Sequence, residues 1–373
     1  LKINFVGAFK DSSGYAQFAR NWAYAMSKAN WDINLELISF EQTHAPHGVV
    51  GKVCDRLLER KYSGCDINII NMIPKVYESF RKPNCMNIGY TMFEATKIPK
   101  VWVDQCNQMD AILVPCEWNK QVFSESGVTV PIGVATPGID ESLYPIKKSF
   151  DGHKKNFKFY SIFQWSERKN PAALIKAFIS AFEGNDDVCL TLKTHMGLYS
   201  KDEADLLMIN IKSIRDSMTV KKYPKILLKH ERLSEQLMLE MHLQNDCFVL
   251  PTRAEGFGFP YIESMMIGNP TMGTNYSGNL EFMNKENSYL IDYQLEPVSN
   301  MRNLGHWYTG DMRWASANVA QLADTMKEVY DNQDSAREKG LSARKNIMSH
   351  MSWNLKLDSL KNTLVEMYNS WKR

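Results

Sequence analysis

The chain has 373 residues, too long for one small module and enough for two or three folding units of ~150 residues each. Charged residues make up 23% and the apolar set AVILMFWYC 44%, with 20 Gly and 14 Pro, a composition that excludes disordered and fibrous chains. The 44 Lys and Arg against 42 Asp and Glu leave a net charge of +2, so no strong field draws the chain to nucleic acid or an anionic membrane, and any anionic ligand must be met locally.

In chain order, residues 2–6 read as a strand rather than the core of a signal peptide, because the apolar run is short and Lys10-Asp11-Ser12-Ser13 follows it. Residues 33–39, 66–71, 86–91 and 111–114 read as further strands, and 15–28 and 100–108 as amphipathic helices between them. After Pro137-Gly138-Ile139-Asp140 comes a polar stretch, 147–156, with little to bury, which predicts a linker. The rhythm then restarts with strands at 157–163, 188–194, 225–228 and 247–251, and helices at 171–182 and 234–243. Residues 294–313 read as a long irregular connection, and the chain is helical from Ala317 onward. Ser352 precedes an amphipathic run over 353–371 whose Trp353, Leu357, Leu360 and Leu364 supply an apolar face.

This alternation predicts an α/β fold of two Rossmann-like lobes with mostly parallel sheets. The expected boundaries are 1–150 and 157–352, with the helix 353–373 packing back on the first lobe. The carboxyl ends of the strands in both lobes are expected to face an interlobe cleft, where ligands bind in such sheets. No apolar run approaches the ~18 residues of a membrane span. The seven cysteines are odd in number, widely spaced and without a CxxC pair, so neither a disulfide frame nor a zinc site is suggested, and a cytoplasmic location is expected.

The most informative stretch runs from Leu250 to Glu263. A strand ends at Leu250, a glycine-bearing loop follows, and Pro260 suits the first position of a new helix. Gly256 and Gly258 let backbone approach a ligand, and the amides at the loop and helix start suit a phosphate or sugar hydroxyls. Glu255 and Glu263 lie eight apart, which puts one carboxylate before the loop and the other in the expected first helical turn, both within reach of one ligand. Carboxylates accept from paired hydroxyls, and a nucleotide sugar offers one pair on the sugar and one on the ribose. The plainer alternative is that Glu263 only favours the helix N-terminus, by ~0.5 kcal/mol, and that Glu255 is a solvated loop acid.

Glu255-Gly256-Phe257-Gly258-Phe259-Pro260, Glu263-Ser264-Met265, Gly268-Asn269-Pro270 and Ser277-Gly278-Asn279-Leu280-Glu281 together resemble the signature of family 4 glycosyltransferases, which are retaining, nucleotide-sugar-dependent enzymes of GT-B fold. Gly89-Tyr90-Thr91-Met92-Phe93-Glu94, Val114-Pro115-Cys116-Glu117-Trp118-Asn119 and Pro137-Gly138-Ile139-Asp140 are similar to the acceptor lobe of that family, so the likeness runs through most of the chain. The resemblance implies an acceptor-binding first lobe and a nucleotide-sugar-binding second lobe. It implies that Glu255 contacts donor-sugar hydroxyls, that the amides of Gly256, Phe257, Gly258 and Phe259 line the sugar and phosphates, and that Glu263 holds the ribose. Lys169 matches the family lysine. Gln164 replaces the family arginine five residues earlier, and Arg168 is the candidate to compensate. Glu255, Lys169 and Arg168 are thus the expected catalytic residues. Asn170 and Pro171 suit the start of a helix there, where two cations oppose the dipole; an anionic ligand explains that better than ordinary surface charge.

In the first lobe Ser12-Ser13-Gly14-Tyr15 heads a helix without meeting the GxGxxG fingerprint. The resemblance implies that Gly14 approaches the donor phosphate or the acceptor, with Tyr15 and Glu94 on the acceptor or sugar side. A plain tight turn at Gly14 and a capping acid at Glu94 remain alternatives, and related enzymes often carry a histidine near that position.

No HxxxH, HExxH or Asp-x-Asp spacing occurs, so no metal or other cofactor is expected, and no GxSxG elbow is present. The departing diphosphate is then stabilised by Arg168, Lys169, helix N-termini and amides. The expected partners are a nucleotide sugar and a hydroxyl acceptor, whether a glycan, a small molecule or modified DNA. Three rival readings use the same fold: a GT-B sugar-nucleotide epimerase, a nucleotide-sugar sensor without turnover, and a transferase acting on a hydroxylated DNA base. For the last, Lys154-Lys155, Lys158, Lys221-Lys222 and Lys225 offer a basic rim, but a charge of +2 favours solvated lysines.

Overall fold

The computed structural model describes residues 1–11, 13–39, 48–60, 62–147, 156–299, 301 and 306–373. The expected linker at 147–156, apart from its two end residues, lies outside the described residues, as do Ser12, Lys154, Lys155 and residues 304–305. The chain divides into two compact units, Leu1–Asp140 with His350–Arg373, and Glu141–Ser349.

The first unit alternates β1 (Ile3–Gly7), α1 (Gly14–Lys28), β2 (Ile33–Leu37), α2 (Val49–Leu58), β3 (Ile67–Asn71), α3 (Tyr77–Phe80), β4 (Met86–Tyr90), α4 (Lys100–Cys106), β5 (Ala111–Val114), α5 (Glu117–Glu125) and β6 (Ile132–Val134). Among the described residues the strands form one parallel sheet in the order β2-β1-β3-β4-β5-β6. β1, β3, β4 and β5 are buried along their whole length, as strands of a covered parallel sheet are. One row of this sheet is polar. Asn34, Asn4, Asn68 and Asn87 stand side by side on four adjacent strands. The Asn34 amide donates to Asn4 at 2.7 Å, Asn4 to Asn68 at 2.8 Å, and Asn68 to Asn87 at 2.9 Å. The Asn87 amide nitrogen ends the row on the Lys82 and Cys85 carbonyls at 2.9 and 3.0 Å, so the buried amides of the row are all paired.

The second unit contains β7 (Phe157–Gln164), α6 (Pro171–Ala181), β8 (Val188–His195), α7 (Lys201–Asp216), β9 (Lys225–Lys229), α8 (Glu235–Gln244), β10 (Cys247–Leu250), α9 (Phe259–Ile267), β11 (Thr271–Thr274), β12 (Tyr289–Ile291), β13 (Tyr293–Pro297), β14 (Arg313–Ala317), α10 (Val319–Asp331) and α11 (Gln333–His350). Its parallel sheet has the order β12-β11-β10-β7-β8-β9 among the described residues. The chain lays down β7, β8 and β9 toward one edge, then returns to β7's other side for β10, β11 and β12. The order therefore reverses between β7 and β10, which is where doubly wound sheets open a crevice for ligands.

The expected irregular stretch at 294–313 is corrected at both ends. β13 and β14 pair antiparallel from Tyr293↔Ala317 to Pro297↔Arg313, so Ala317 ends a strand and the helical tail begins at Val319. The pairing partners are far apart in sequence, and neither short run carries a strong alternation of its own.

The terminal helix α12 (Trp353–Trp371) belongs to the first unit. Its Trp353 ring meets Trp22 of α1 edge-on at 5.0 Å, and Tyr368 donates to Asp66 at 3.3 Å. Two glycines admit it. A Cβ on Gly133 would lie 2.6 Å from Met367 and 2.7 Å from Thr363, and one on Gly138 would lie 2.8 Å from the Trp353 Cα. No described helix is long and apolar enough to cross a membrane.

Candidate active site

The carboxyl ends of β7 and β10 bring the main candidates together. β7 runs out at Gln164, and Glu167–Lys169 make a single 3-10 turn. Asn170 then takes a left-handed φ of 54°, and its side chain accepts from the Ala173 amide at 3.3 Å to cap α6, which opens on Pro171. Asparagine suits this place because its short polar side chain tolerates the left-handed region and caps at the same time. From β10, the Arg253 amide donates to the Arg168 carbonyl at 2.7 Å, and the Thr252 hydroxyl donates to the same carbonyl at 3.1 Å. The turn after one strand is thus sewn to the loop after its neighbour.

Within that seam Lys169 Nζ donates to Glu255 Oε1. Arg168 Nη1 lies 3.4 Å from Glu255 Oε2 and donates to the Ala254 carbonyl at 2.9 Å. Glu255 is only 5% exposed. Burial pushes its carboxyl up, but the Lys169 and Arg168 charges overrule burial and hold it below its ordinary value. The Glu255 amide donates to Ser277 Oγ at 2.8 Å, and the Gly278 amide to the Glu255 carbonyl at 3.0 Å. A Cβ on Gly278 would overlap the Gly256 carbonyl, so this second loop is pressed against the first. The solvated-acid alternative for Glu255 does not fit this burial.

The glycine loop differs in detail from its sequence reading. α9 begins at Phe259, so Pro260 is its second residue and not its first, and Gly258 is the N-cap with a left-handed φ of 105°. A side chain there would be strained in backbone and would meet Tyr261 at 2.8 Å. Phe257 is buried against Phe259 and Phe282, at ring distances of 5.3 and 5.1 Å, so its side chain serves the core. Starting the helix one residue early moves Glu263 to the fifth position, in the second turn rather than the first. Tyr144 donates to its Oε1 at 3.3 Å, and His242 Nε2 lies 3.7 Å from its Oε2. Glu255 and Glu263 share no hydrogen-bond or ion-pair partner in these contacts.

Gln164 is exposed at the end of β7, in register with His195 on β8. His195 opens a cluster that the sequence reading did not find. Its ring stacks on Tyr199 at 4.5 Å, and Lys193 and Arg232 lie 5.2 and 4.6 Å from the same tyrosine ring. Burial lowers Lys193 to about 8 and, with help from the Lys193 charge, lowers His195 to about 4. Glu203 is buried too, which alone would raise it. The amides of Met196 at 2.7 Å and Leu198 at 2.6 Å, with His230 at 2.9 Å, instead bring it down to about 2. Lys193, His195, Tyr199 and Glu203 follow one another closely from the end of β8 into α7, while His230 and Arg232 come from the loop after β9 and complete the cluster only in the folded chain.

Arg253 and Glu167 were also missed. Arg253 donates to the Glu167 carboxylate at 2.7 Å and to the Glu167 carbonyl at 3.1 Å, pairs with Glu296 on β13, and lies 5.3 Å from the Trp314 ring. A charged residue inside the motif was the available signal, but its partners lie about forty or more residues away on either side.

In the first unit, Ser13 caps α1 by accepting from the Ala16 amide at 3.1 Å, and Gly14 is the first helical residue. Gly14 has no left-handed φ, and a Cβ there would meet nothing within 4 Å, so neither a tight turn nor packing calls for glycine. The Tyr15 hydroxyl lies 2.9 Å from Thr91 Oγ1 and donates to the Met92 carbonyl at 3.4 Å. Burial, reinforced by the Glu94 charge, raises the phenol and keeps it protonated. Tyr15 and Glu94 are therefore neighbours at the carboxyl end of β4.

The profile of the Glycosyl transferases group 1 family matches residues 226–296, which include Glu255 and Glu263. No curated protein matches the chain in sequence. Among solved structures, HepE of Anabaena in complex with UDP and glucose is 14% identical, with a TM-score of 0.67 over 98% of this chain and 100% of that one. Sucrose-phosphate synthase of Thermosynechococcus elongatus is 11% identical, with a TM-score of 0.71 over 99% of each chain. The pneumococcal O-GlcNAc transferase GtfA in complex with UDP and GlcNAc is 12% identical, with a TM-score of 0.62 over 98% of this chain and 99% of that one. At these identities the likeness gives the fold, which is GT-B: two lobes, each built on a six-stranded parallel sheet. The group 1 match over residues 226–296 and the GT-B architecture together indicate a glycosyltransferase.

Proposed function

We propose that the chain is a retaining glycosyltransferase of the family 4 kind, moving a sugar from a nucleoside-diphosphate sugar to an acceptor hydroxyl. The observation that carries this reading is the contact of Lys169 and Arg168 with buried Glu255, at the point where the sheet order reverses. Two cations against one carboxylate leave a positive surplus beside an amide-rich loop and the N-terminus of α9, a setting that suits a diphosphate. When the diphosphate enters, it takes up the charge of Lys169 and Arg168 and frees the Glu255 carboxylate to accept from hydroxyls of the donor sugar. The amides of residues 256–259 line the sugar and phosphates, and Glu263, on its separate partners, holds the ribose.

As the glycosidic bond breaks, negative charge grows on the leaving diphosphate, and the two cations stabilise it without a metal ion. No side chain stands out as an acceptor base. The leaving oxygen takes the acceptor proton on the face it departs from, which retains the anomeric configuration. Tyr15 and Glu94 sit on the acceptor side of this scheme, and Gly14 leaves room for a ligand at the start of α1. The donor to try first is a UDP-sugar, because HepE was solved with UDP-glucose and GtfA with UDP and GlcNAc.

Thermal-shift screening with UDP-, GDP-, ADP- and dTDP-sugars, then an acceptor screen by mass spectrometry, tests the proposal. The expected result is a UDP-sugar shift, a glycosylated acceptor, and an anomeric proton signal of the same configuration as the donor. A new sugar nucleotide formed from donor alone would make the chain an epimerase. Binding without transfer or hydrolysis across acceptors, modified DNA included, would make it a sensor.

A further inference from the structure

Cys65 and Cys85 stand at the amino ends of adjacent strands, Cys65 two residues before β3 and Cys85 immediately before β4. The strands are parallel with Ile67 opposite Met86, and the Met86 amide donates to the Asp66 carbonyl at 3.0 Å. Cys85 therefore stands level with Asp66, one place beyond Cys65, and the diagonal between the two cysteine backbones is ~6 Å, which falls inside the range a disulfide spans. Each cysteine follows a left-handed residue, Gly64 at φ 69° and Asn84 at φ 60°, which turns the chain into its strand. The two sulfurs lie 2.9 Å apart. Cys85 is buried and Cys65 half-buried, and the other five cysteines are buried.

We propose that Cys65 and Cys85 are a cross-linking pair that closes to an intramolecular disulfide on exposure to a small-molecule disulfide of the glutathione class. In the first step one cysteine thiolate attacks oxidised glutathione, breaks its S–S bond and releases one glutathione thiolate. The second cysteine, losing its proton, then attacks the sulfur of the mixed disulfide and releases the second glutathione. Two protein thiols are oxidised, two glutathione thiols form, and the two protons end on glutathione. Burial, together with the Cys85 sulfur, pushes the Cys65 thiol up to about 12, so the thiolate is scarce at neutral pH and closure accelerates as pH rises.

The cross-link would join β3 to β4 at the end of the sheet opposite Tyr15, Thr91 and Glu94, so it changes the stability of the first unit without touching those residues. The inference does not depend on the proposed activity.

The full chain is incubated with oxidised glutathione at pH 7 and pH 9, then digested without reduction and mapped by mass spectrometry. The expected result is a linked Cys65–Cys85 peptide that forms faster at pH 9, a melting temperature raised by about 5–10 °C, and loss of both on adding dithiothreitol. Cys65→Ser, at the half-buried position, is expected to keep the unoxidised melting temperature and to show no rise with oxidant. A glutathione adduct with no linked peptide, a link between other cysteines, or linkage only after denaturation would overturn the proposal.

Discussion

Arg253 grips Glu167 twice, through its carboxylate at 2.7 Å and its carbonyl at 3.1 Å, and so ties the loop that carries Glu255 to the turn that carries Arg168 and Lys169. Glu296 on β13 and Trp314 on β14 hold the same guanidinium from its other sides. The hairpin that the sequence suggested was an irregular connection is thus a brace for the candidate site. Removing the fork by Arg253→Met is expected to lower kcat/KM by about 10–100-fold through loss of positioning. Arg253→Lys should restore only part of it, since an ammonium cannot make the paired contacts. Steady-state kinetics beside melting curves check this; a fall in melting temperature with unchanged kcat/KM would reduce Arg253 to a structural residue.

Glu255→Gln keeps the size of the side chain but removes the charge that Lys169 and Arg168 face. Transfer is expected to fall by about 10²–10³-fold, and Lys169→Met to give a loss of similar order, with circular dichroism unchanged in both. Near wild-type turnover in either variant would end the proposed role of this contact.

Because Glu263 contacts Tyr144 and His242, while Glu255 contacts Lys169 and Arg168, its loss should register differently. Glu263→Gln is predicted to raise the donor KM by about 10-fold while leaving kcat within about 3-fold, the pattern of lost ground-state binding. A collapse of kcat with unchanged KM would move Glu263 into the chemistry instead.

The cluster beyond Gln164 sets an acid limit on stability. His195 is held down to about 4, well under an ordinary histidine at about 6.5, so the unfolded chain binds the proton first as pH falls. The stability this represents is present above about 6.5 and lost as pH drops toward 4, at roughly 2–3 kcal/mol over that window. Glu203, brought down to about 2, extends the loss from the ordinary carboxylate range to lower pH. His195→Gln should flatten the decline of the urea midpoint between pH 6.5 and 4. Parallel curves for the two proteins would show that His195 is not the group responsible.

Much of the fold was legible because a parallel sheet writes its strands as apolar runs. Residues 111–114 and 353–371 were read with the bounds the structure has, and the Asn170-Pro171 start of α6 followed from capping chemistry alone. α7 escaped because its sequence shows no clean stripe. Leu206, Met208 and Ile209 are exposed while Glu203 is buried under its own hydrogen bonds. In the site, Glu255, Lys169 and Arg168 were found because they sit in or beside a short motif at adjacent strand ends. The Arg253–Glu167 fork joins distant segments, and the His195 cluster is completed by His230 and Arg232 from beyond β9, which no local pattern encodes.

The asparagine row across β2, β1, β3 and β4 has a further effect on how this unit assembles. Strands that are apolar on both faces gain almost as much burial when shifted along one another, so hydrophobicity alone leaves their alignment loosely chosen. A shift by one residue at Asn68 would break its bonds to Asn4 and Asn87, at a net cost of about 1 kcal/mol for each bond lost. The row works like the teeth of a key, letting the four strands seat in a single alignment and thereby setting the height at which Thr91 and Glu94 emerge from β4.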